Sequence, residues 1–197
     1  TLPVTKHNYL VTRADDIAKV VREAYVIAKS GRPGPVLNDI TKDAQQSSCE
    51  FDWDAAAPSV AGWRSAPDTP DTSLAHAAAI LNAAERPVIL AGHGVMISGA
   101  MEELRALAER TQIPVAMTLL GIGCMPASHQ LNIGMMGMQG EAWVNHAIQE
   151  ADLLIAAGMR FDDRVTGNLK TYAPHAKKIH IEIDPSEINK NVAVDAA

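Results

Sequence analysis

The chain has 197 residues, a formal net charge of -6 and a composition of 47% hydrophobic, 20% charged and 4% aromatic residues. That balance is ordinary for one globular domain or a domain plus part of another. It carries no long Lys/Arg run to attract nucleic acid and no apolar run of membrane-spanning length. With so few aromatics, the core has to be built from Ala, Val, Ile, Leu and Met.

Thr1-Leu2-Pro3-Val4 is followed by Lys6 and His7 rather than by the apolar core of a signal peptide. Thr1 without Met, and Val194 to Ala197 without a turn signal, read as cuts inside a longer protein or as a processed start and a short natural tail. Thr12-Arg13-Ala14-Asp15 is close to a capping box, and Ile17, Val20, Val21, Ala24, Ile27 and Ala28 follow at helical spacing. Gly31 stands at the helix C-cap position, Pro33 prevents continuation, and Pro35 to Ile40 reads as a short buried strand. From Asp43 to Asp71, Gln, Ser, Pro, Asp and Ala take over, which is linker composition. Trp53 and Trp63 are expected to pin it to a domain surface, because rings that large are seldom left in water.

A second domain is predicted from about Thr72. Leu74, Ala77, Ala78 and Leu81 mark a helix ending near Arg86-Pro87, and Val88–Ala91 is a strand running into Gly92-His93-Gly94. Ser98 is placed to cap the next helix, which carries Met101, Leu104 and Leu107 on one face. Residues 114–118 form the next strand, followed by a glycine-rich stretch from Gly121 to Gly140. A helix over 142–150, a strand over 153–157 and a strand over 178–184 complete the pattern. Strands alternating with helices imply an α/β fold with a mostly parallel sheet covered on both faces.

Ligands of such sheets bind beyond the carboxyl ends of the strands, so the residues there carry the functional reading. Gly92 and Gly94 allow close backbone approach to a phosphate, and equally suit a plain turn. Thr118 can donate to a ligand or serve the turn alone. Three glycines and three methionines crowd Gly134–Gly140. Methionine is a flexible apolar surface suited to a flat ring, and it also fills gaps in cores. Gly158-Met159-Arg160-Phe161-Asp162-Asp163-Arg164-Val165-Thr166-Gly167 puts four charges directly after an apolar strand. There Asp162 and Asp163 can orient two arginines suited to bidentate grip of phosphate or carboxylate, or the cluster can neutralise itself. Glu182 is placed to accept from a ribose, while Asp184 before Pro185 can cap a helix. His175 and His180, beside a strand start, are expected on the surface. The histidines show no zinc spacing, and the two cysteines, Cys49 and Cys124, form no motif, which points to a reducing, cytoplasm-like compartment.

Together these segments resemble the acetolactate synthase catalytic-subunit family over nearly the whole chain. Thr5–Tyr9 is similar to the family's TKHNY, Ser30–Leu37 to SGRPGPVL, Lys42-Asp43 to its KD, Gly137–Gly140 to GMHG, and Arg160–Gly167 to RFDDRVTG, the most specific of them. The resemblance implies the end of a thiamine-pyrophosphate pyrimidine-binding domain over 1–42, a linker over 43–71 and a Rossmann-like central FAD-binding domain over 72–197. It implies decarboxylation of pyruvate and transfer of the remaining two-carbon unit to a second 2-keto acid, in branched-chain amino-acid synthesis.

Residue by residue, the resemblance assigns Arg32 to FAD from the first domain. It sets Gly92, His93, Gly94 and Thr118 along the phosphates, and Met136, Gly137, Met138 and Gln139 at the flavin. Gly158, Met159, Arg160, Asp162 and Val165 complete the cradle, with Glu182 and Ile183 at the adenosine end. Arg164 is assigned to the carboxylate of the second keto acid, and Lys42 to the active-site entrance. His93 stands where the family has a middle glycine, Gln139 where it has histidine, and Asn38 and Thr41 also depart from its pattern. The thiamine pyrophosphate and Mg2+ motifs of the family lie outside this stretch, so the chain alone is expected to be inactive. The family also implies a homodimer or tetramer, a regulatory subunit, and a cytoplasmic, plastid or mitochondrial-matrix setting. A sister thiamine enzyme, a plain nucleotide-binding module and a ligand-free scaffold are the rival readings. The dinucleotide fingerprint is incomplete, because Ile97 follows where a third glycine belongs.

Overall fold

The computed structural model describes residues 1–55, 60 and 69–197. The chain divides into two compact units, Thr1–Pro67 and Asp68–Ala197.

The first unit holds β1 (His7–Val11), α1 (Ala14–Lys29), β2 (Val36–Ile40) and the short α2 (Lys42–Gln46). The two strands pair in parallel, from His7 beside Val36 to Val11 beside Ile40. Helix α1 starts one residue later than the capping-box reading: Arg13 is its N-cap, no side chain caps it, and Thr12 stays outside. Asp15 and Asp16 in the first turn suit the positive end of the helix dipole. At the other end the Lys6 ammonium donates to the carbonyls of Ile27 and Ser30, satisfying helix-terminal acceptors. Burial holds the Lys6 pKa below its ordinary value.

Trp53 corrects one expectation. It is 82% exposed and only meets Phe51 edge-on, with ring centroids 4.8 Å apart. The segment is instead held to α1 by Arg22, whose guanidinium donates to the carbonyls of Asp52, Trp53 and Ala55 at 3.1 to 3.2 Å. Trp63 lies outside the described residues.

The second unit runs α3 (Asp71–Asn82), β3 (Pro87–Ala91), α4 (His93–Ser98), α5 (Met101–Thr111), β4 (Val115–Met117), β5 (Asn132–Met135), α6 (Ala142–Glu150), β6 (Leu153–Ala157), α7 (Asp163–Thr166) and β7 (Lys177–Ile181). Its strands form one parallel sheet in the order β5-β4-β3-β6-β7. The chain winds outward from β3 to β5, then returns to β6 beside β3 and winds the other way. This is a Rossmann-like α/β arrangement, as expected, with its switch point between β3 and β6.

The apolar runs at β3 and β6 make sense at the centre of the sheet, where both faces are covered. Alternation then divides the core. Ile89, Ala91, Leu153 and Ile155 face α3 and α5 through Ile80, Leu104 and Ala108. Val88, Leu90, Leu154 and Ala156 face α6 through Val144 and Ile148. At the amino ends of the strands, Asp152 accepts from the amides of Glu85 and Arg86 at 2.7 and 2.9 Å. Partial burial works against its charge, but these donors outweigh it and leave the carboxyl below its usual range.

Local corrections have local causes. Ser98 does not cap the following helix: it closes α4, its hydroxyl donating to the Val95 carbonyl, and Ala100 is the N-cap of α5. Strand β7 ends at Ile181, so Glu182 to Asp184 lie beyond it, and no α-helix follows Pro185. His180 is 1% exposed rather than a surface residue, because it points inward from β7. Its Nε2 donates to the Met159 carbonyl at 2.8 Å, and its ring meets Phe161 edge-on at 5.1 Å.

Candidate functional site

The carboxyl ends of β3, β4, β5 and β6 carry the segments singled out in the sequence. At the switch point the turn after β3 and the turn after β6 meet backbone to backbone. Gly92 donates to the Ala157 carbonyl, and Gly94 to the Gly158 carbonyl, both at 2.9 Å. A Cβ on Gly92 would sit 2.4 Å from Gly158 O, and one on Gly94 would sit 2.6 Å from Gly158 Cα. Gly158 itself has φ +59°, and its Cβ would lie 2.7 Å from both Gly94 Cα and Val95 N. These glycines therefore let two loops pack directly on one another. That is a firmer reason for them than a plain turn, since neither loop has room for a methyl group. His93 is exposed, at the start of the short α4.

Thr118 does what the turn reading expected. Its Oγ1 accepts from the Gly121 amide at 3.1 Å and caps a 3-10 turn over Leu119–Gly121. Gly121 passes so close above β3 that a Cβ would fall 2.3 Å from the Ala91 carbonyl oxygen. The buried Cys124 thiol, its pKa pushed up by burial, lies 3.6 Å from the Gly92 carbonyl.

The methionine-rich loop after β5 splits between the two roles its composition left open. Met136 is buried in the core beside Met159, whereas Met138 is 61% exposed and Gln139 is exposed. Gly137 has φ +92°, and a Cβ there would lie 2.5 Å from the Arg164 carbonyl oxygen. The Met138 amide donates to that same oxygen at 2.8 Å, so this loop and the loop after β6 touch.

In the loop after β6, Asp162 is the N-cap of α7 and accepts from the Arg164 amide at 3.1 Å. Its other oxygen is 3.4 Å from the Arg160 guanidinium, a long and exposed pairing worth little. The Arg164 guanidinium donates towards Met138 Sδ at 3.5 Å, and among the described residues no carboxylate pairs with it. Asp163 orients neither arginine. Arg160 is thus paired loosely within the cluster, while the Arg164 guanidinium keeps donors for an anion. Val165 is half-buried and packs on the core under this loop.

Beyond β7, the Glu182 carboxylate accepts from the Ile183 and Asp184 amides at 3.0 and 3.1 Å. Asp184 accepts from both the amide and the hydroxyl of Ser186 and closes a turn, not a helix. Ile183 is exposed. Arg32 and Lys42 are exposed residues of the first unit, Arg32 just after the positive-φ Gly31 and Lys42 in the first turn of α2.

Sequence reading missed three residues that hold these loops. Glu141 accepts from the Met135 amide at 2.6 Å. Asn145 pairs with both the amide and the carbonyl of Gly137. His180 holds the Met159 carbonyl. Glu141 and Asn145 stand four apart at the start of a helix that follows a loop poor in polar side chains. That signal was available, because such a loop must find its backbone partners elsewhere.

Residues 74–197 match the family model described as thiamine pyrophosphate enzyme, central domain. The chain is 49% identical over 195 residues to an acetolactate synthase of Mycobacterium bovis, covering 99% of this chain and 31% of that protein. It is 44% identical over 200 residues to the acetolactate synthase isozyme 1 large subunit of Escherichia coli, covering 100% of this chain and 35% of that one. To the chloroplastic acetolactate synthase 1 of Zea mays it is 47% identical over 193 residues, 97% of this chain and 30% of that protein. The chain spans about a third of the length of the curated relatives it matches.

Proposed function

The chain belongs to the thiamine pyrophosphate enzymes through their central domain, and on that premise we propose that it is the FAD-binding part of an acetolactate synthase large subunit. The observation that carries the flavin reading is the glycine-on-glycine contact of Gly92 and Gly94 with Gly158. It lies at the switch point, where a parallel sheet of this kind receives a dinucleotide. The residues present fit such a group. Gly92 to Gly94 lie where the phosphates would run, with the Arg160 guanidinium on the neighbouring loop to balance their charge. The exposed thioether of Met138 offers the ring an apolar face, with Gly137 beneath it and Gln139 beside it. Glu182 keeps lone pairs beyond the two amides it already accepts, which suits a ribose hydroxyl.

In this reading the condensation chemistry belongs to thiamine pyrophosphate with Mg2+, held outside this chain, and FAD serves structure rather than net redox. Arg164 holds the carboxylate of the second 2-keto acid, for which a guanidinium without a competing carboxylate is suited. Arg32 and Lys42 belong to the first unit, read as the end of the pyrimidine-binding domain. The large-subunit names of the relatives favour a regulatory small subunit as partner.

The test is catalytic. A protein carrying this chain between the flanking segments of its relatives is expected to form acetolactate from pyruvate when thiamine pyrophosphate, Mg2+ and FAD are supplied. The chain alone is expected to form none. A whole protein that makes no acetolactate contradicts the assignment.

A further inference from the structure

The loop Met135–Gly140 has one polar side chain, Gln139, and that is exposed. Its backbone groups depend on other elements for partners. Asn145 of α6 supplies the most specific of these. Its Oδ1 accepts from the Gly137 amide at 2.9 Å, and its Nδ2 donates to the Gly137 carbonyl at 3.0 Å. One planar amide therefore pairs with both backbone groups of a single residue and fixes the peptides on either side. On its other flank Gly137 has the Arg164 carbonyl, too close for any Cβ.

The next residue carries this arrangement onward. Met138 donates its amide to the Arg164 carbonyl at 2.8 Å, and the Arg164 guanidinium reaches back to Met138 Sδ at 3.5 Å. Residues 138 and 164 thus meet through backbone and side chain alike. That sulfur contact is long, exposed and weak, so the tie between the two residues is the backbone hydrogen bond from the Met138 amide.

We infer that Asn145 is a positioning residue: it clasps Gly137 so that Met138 and, through its amide, the backbone of Arg164 are held in place for the ligands. Its own amide is engaged with Gly137 on both sides. The inference rests on the flavin reading above for what Met138 and Arg164 face, but the clasp itself does not.

Asn145→Ala and Asn145→Asp are compared with the wild-type chain. Aspartate keeps the acceptor for the Gly137 amide and loses the donor to its carbonyl, so it is a partial rescue that also guards against misfolding of the alanine variant. Amide hydrogen exchange is followed at Gly137 and Met138, with the amides of β3 and β6 as internal standards. FAD affinity and the fine structure of the bound flavin spectrum are measured alongside. In Asn145→Ala, exchange at Gly137 and Met138 is expected to quicken about a hundredfold while β3 and β6 do not change. FAD affinity is expected to fall about tenfold, with a blurred flavin spectrum and an intermediate value for Asn145→Asp. Unchanged exchange at Gly137 and Met138 overturns the inference, as does faster exchange with unaltered FAD affinity and spectrum. If the wild type binds no flavin, the flavin reading falls by itself, and exchange alone decides for or against the clasp.

Discussion

Gly158→Ala is expected to destabilise the second unit by about 4 kcal/mol and to abolish FAD uptake. Two costs add. The residue sits at φ +59°, where a side chain is strained by about 1 kcal/mol. Its new methyl would also lie 2.7 Å from Gly94 Cα and Val95 N, both backbone atoms that no rotamer change can move away. Relief requires the turns after β3 and β6 to separate, and those turns are where the dinucleotide phosphates are proposed to lie. Gly99→Ala is the matched control. Gly99 has φ +74° but nothing within 4 Å of a new Cβ, so only the conformational cost of about 1 kcal/mol applies. Calorimetry of the second unit's unfolding separates the two variants. Equal losses would show that the contact between the turns contributes nothing.

His180→Ala is expected to cost about 3 kcal/mol, read as a lower urea midpoint for the second unit. The side chain is fully buried, and its loss leaves a cavity against Phe161 and strips the Met159 carbonyl of its donor. Since a carbonyl only accepts, Nε2 carries the proton that the Met159 carbonyl receives. Nδ1 is itself buried without a partner. His180→Phe fills the volume, keeps the ring contact and removes that orphan nitrogen while still abandoning Met159. It should therefore lose only about 1 kcal/mol. If alanine costs no more than phenylalanine, packing is not what His180 provides.

Sequence alone made the centre of the fold plain and its margins obscure. β3 and β6 lie within a residue of their expected bounds, because an unbroken apolar run between turns has few other uses than a central strand. β5 was hidden: Asn132–Met135 contains a glycine, alternates weakly and is only half-buried along its length. β1 was hidden by its polar start, His7-Asn8-Tyr9. α4 is hidden as well, because six residues after Gly92 give no periodicity to read.

The same contrast holds at the site. The sequence marks the loops after β3, β5 and β6 as unusual, but not which of their residues face inward. Met136 and Met138 are two apart in one motif, yet one is core and the other is exposed. The Met136 amide is held by the Met117 carbonyl and the Met138 amide by the Arg164 carbonyl, partners that are distant in sequence. His180 looked like a surface histidine because nothing local marks a residue whose hydrogen-bond partner, Met159, is on the neighbouring strand's loop.

The central claim, that residues 74–197 form a flavin-binding domain, is tested most directly by titrating the chain with FAD against ADP and NAD. Flavin fluorescence and melting temperature are followed together. A ligand bound only by the folded state raises its apparent stability by mass action. Saturable uptake of FAD in preference to NAD is expected, with a raised melting temperature and weaker binding in Arg160→Ala. Preference for NAD, or a melting temperature that excess FAD leaves unchanged, would contradict it.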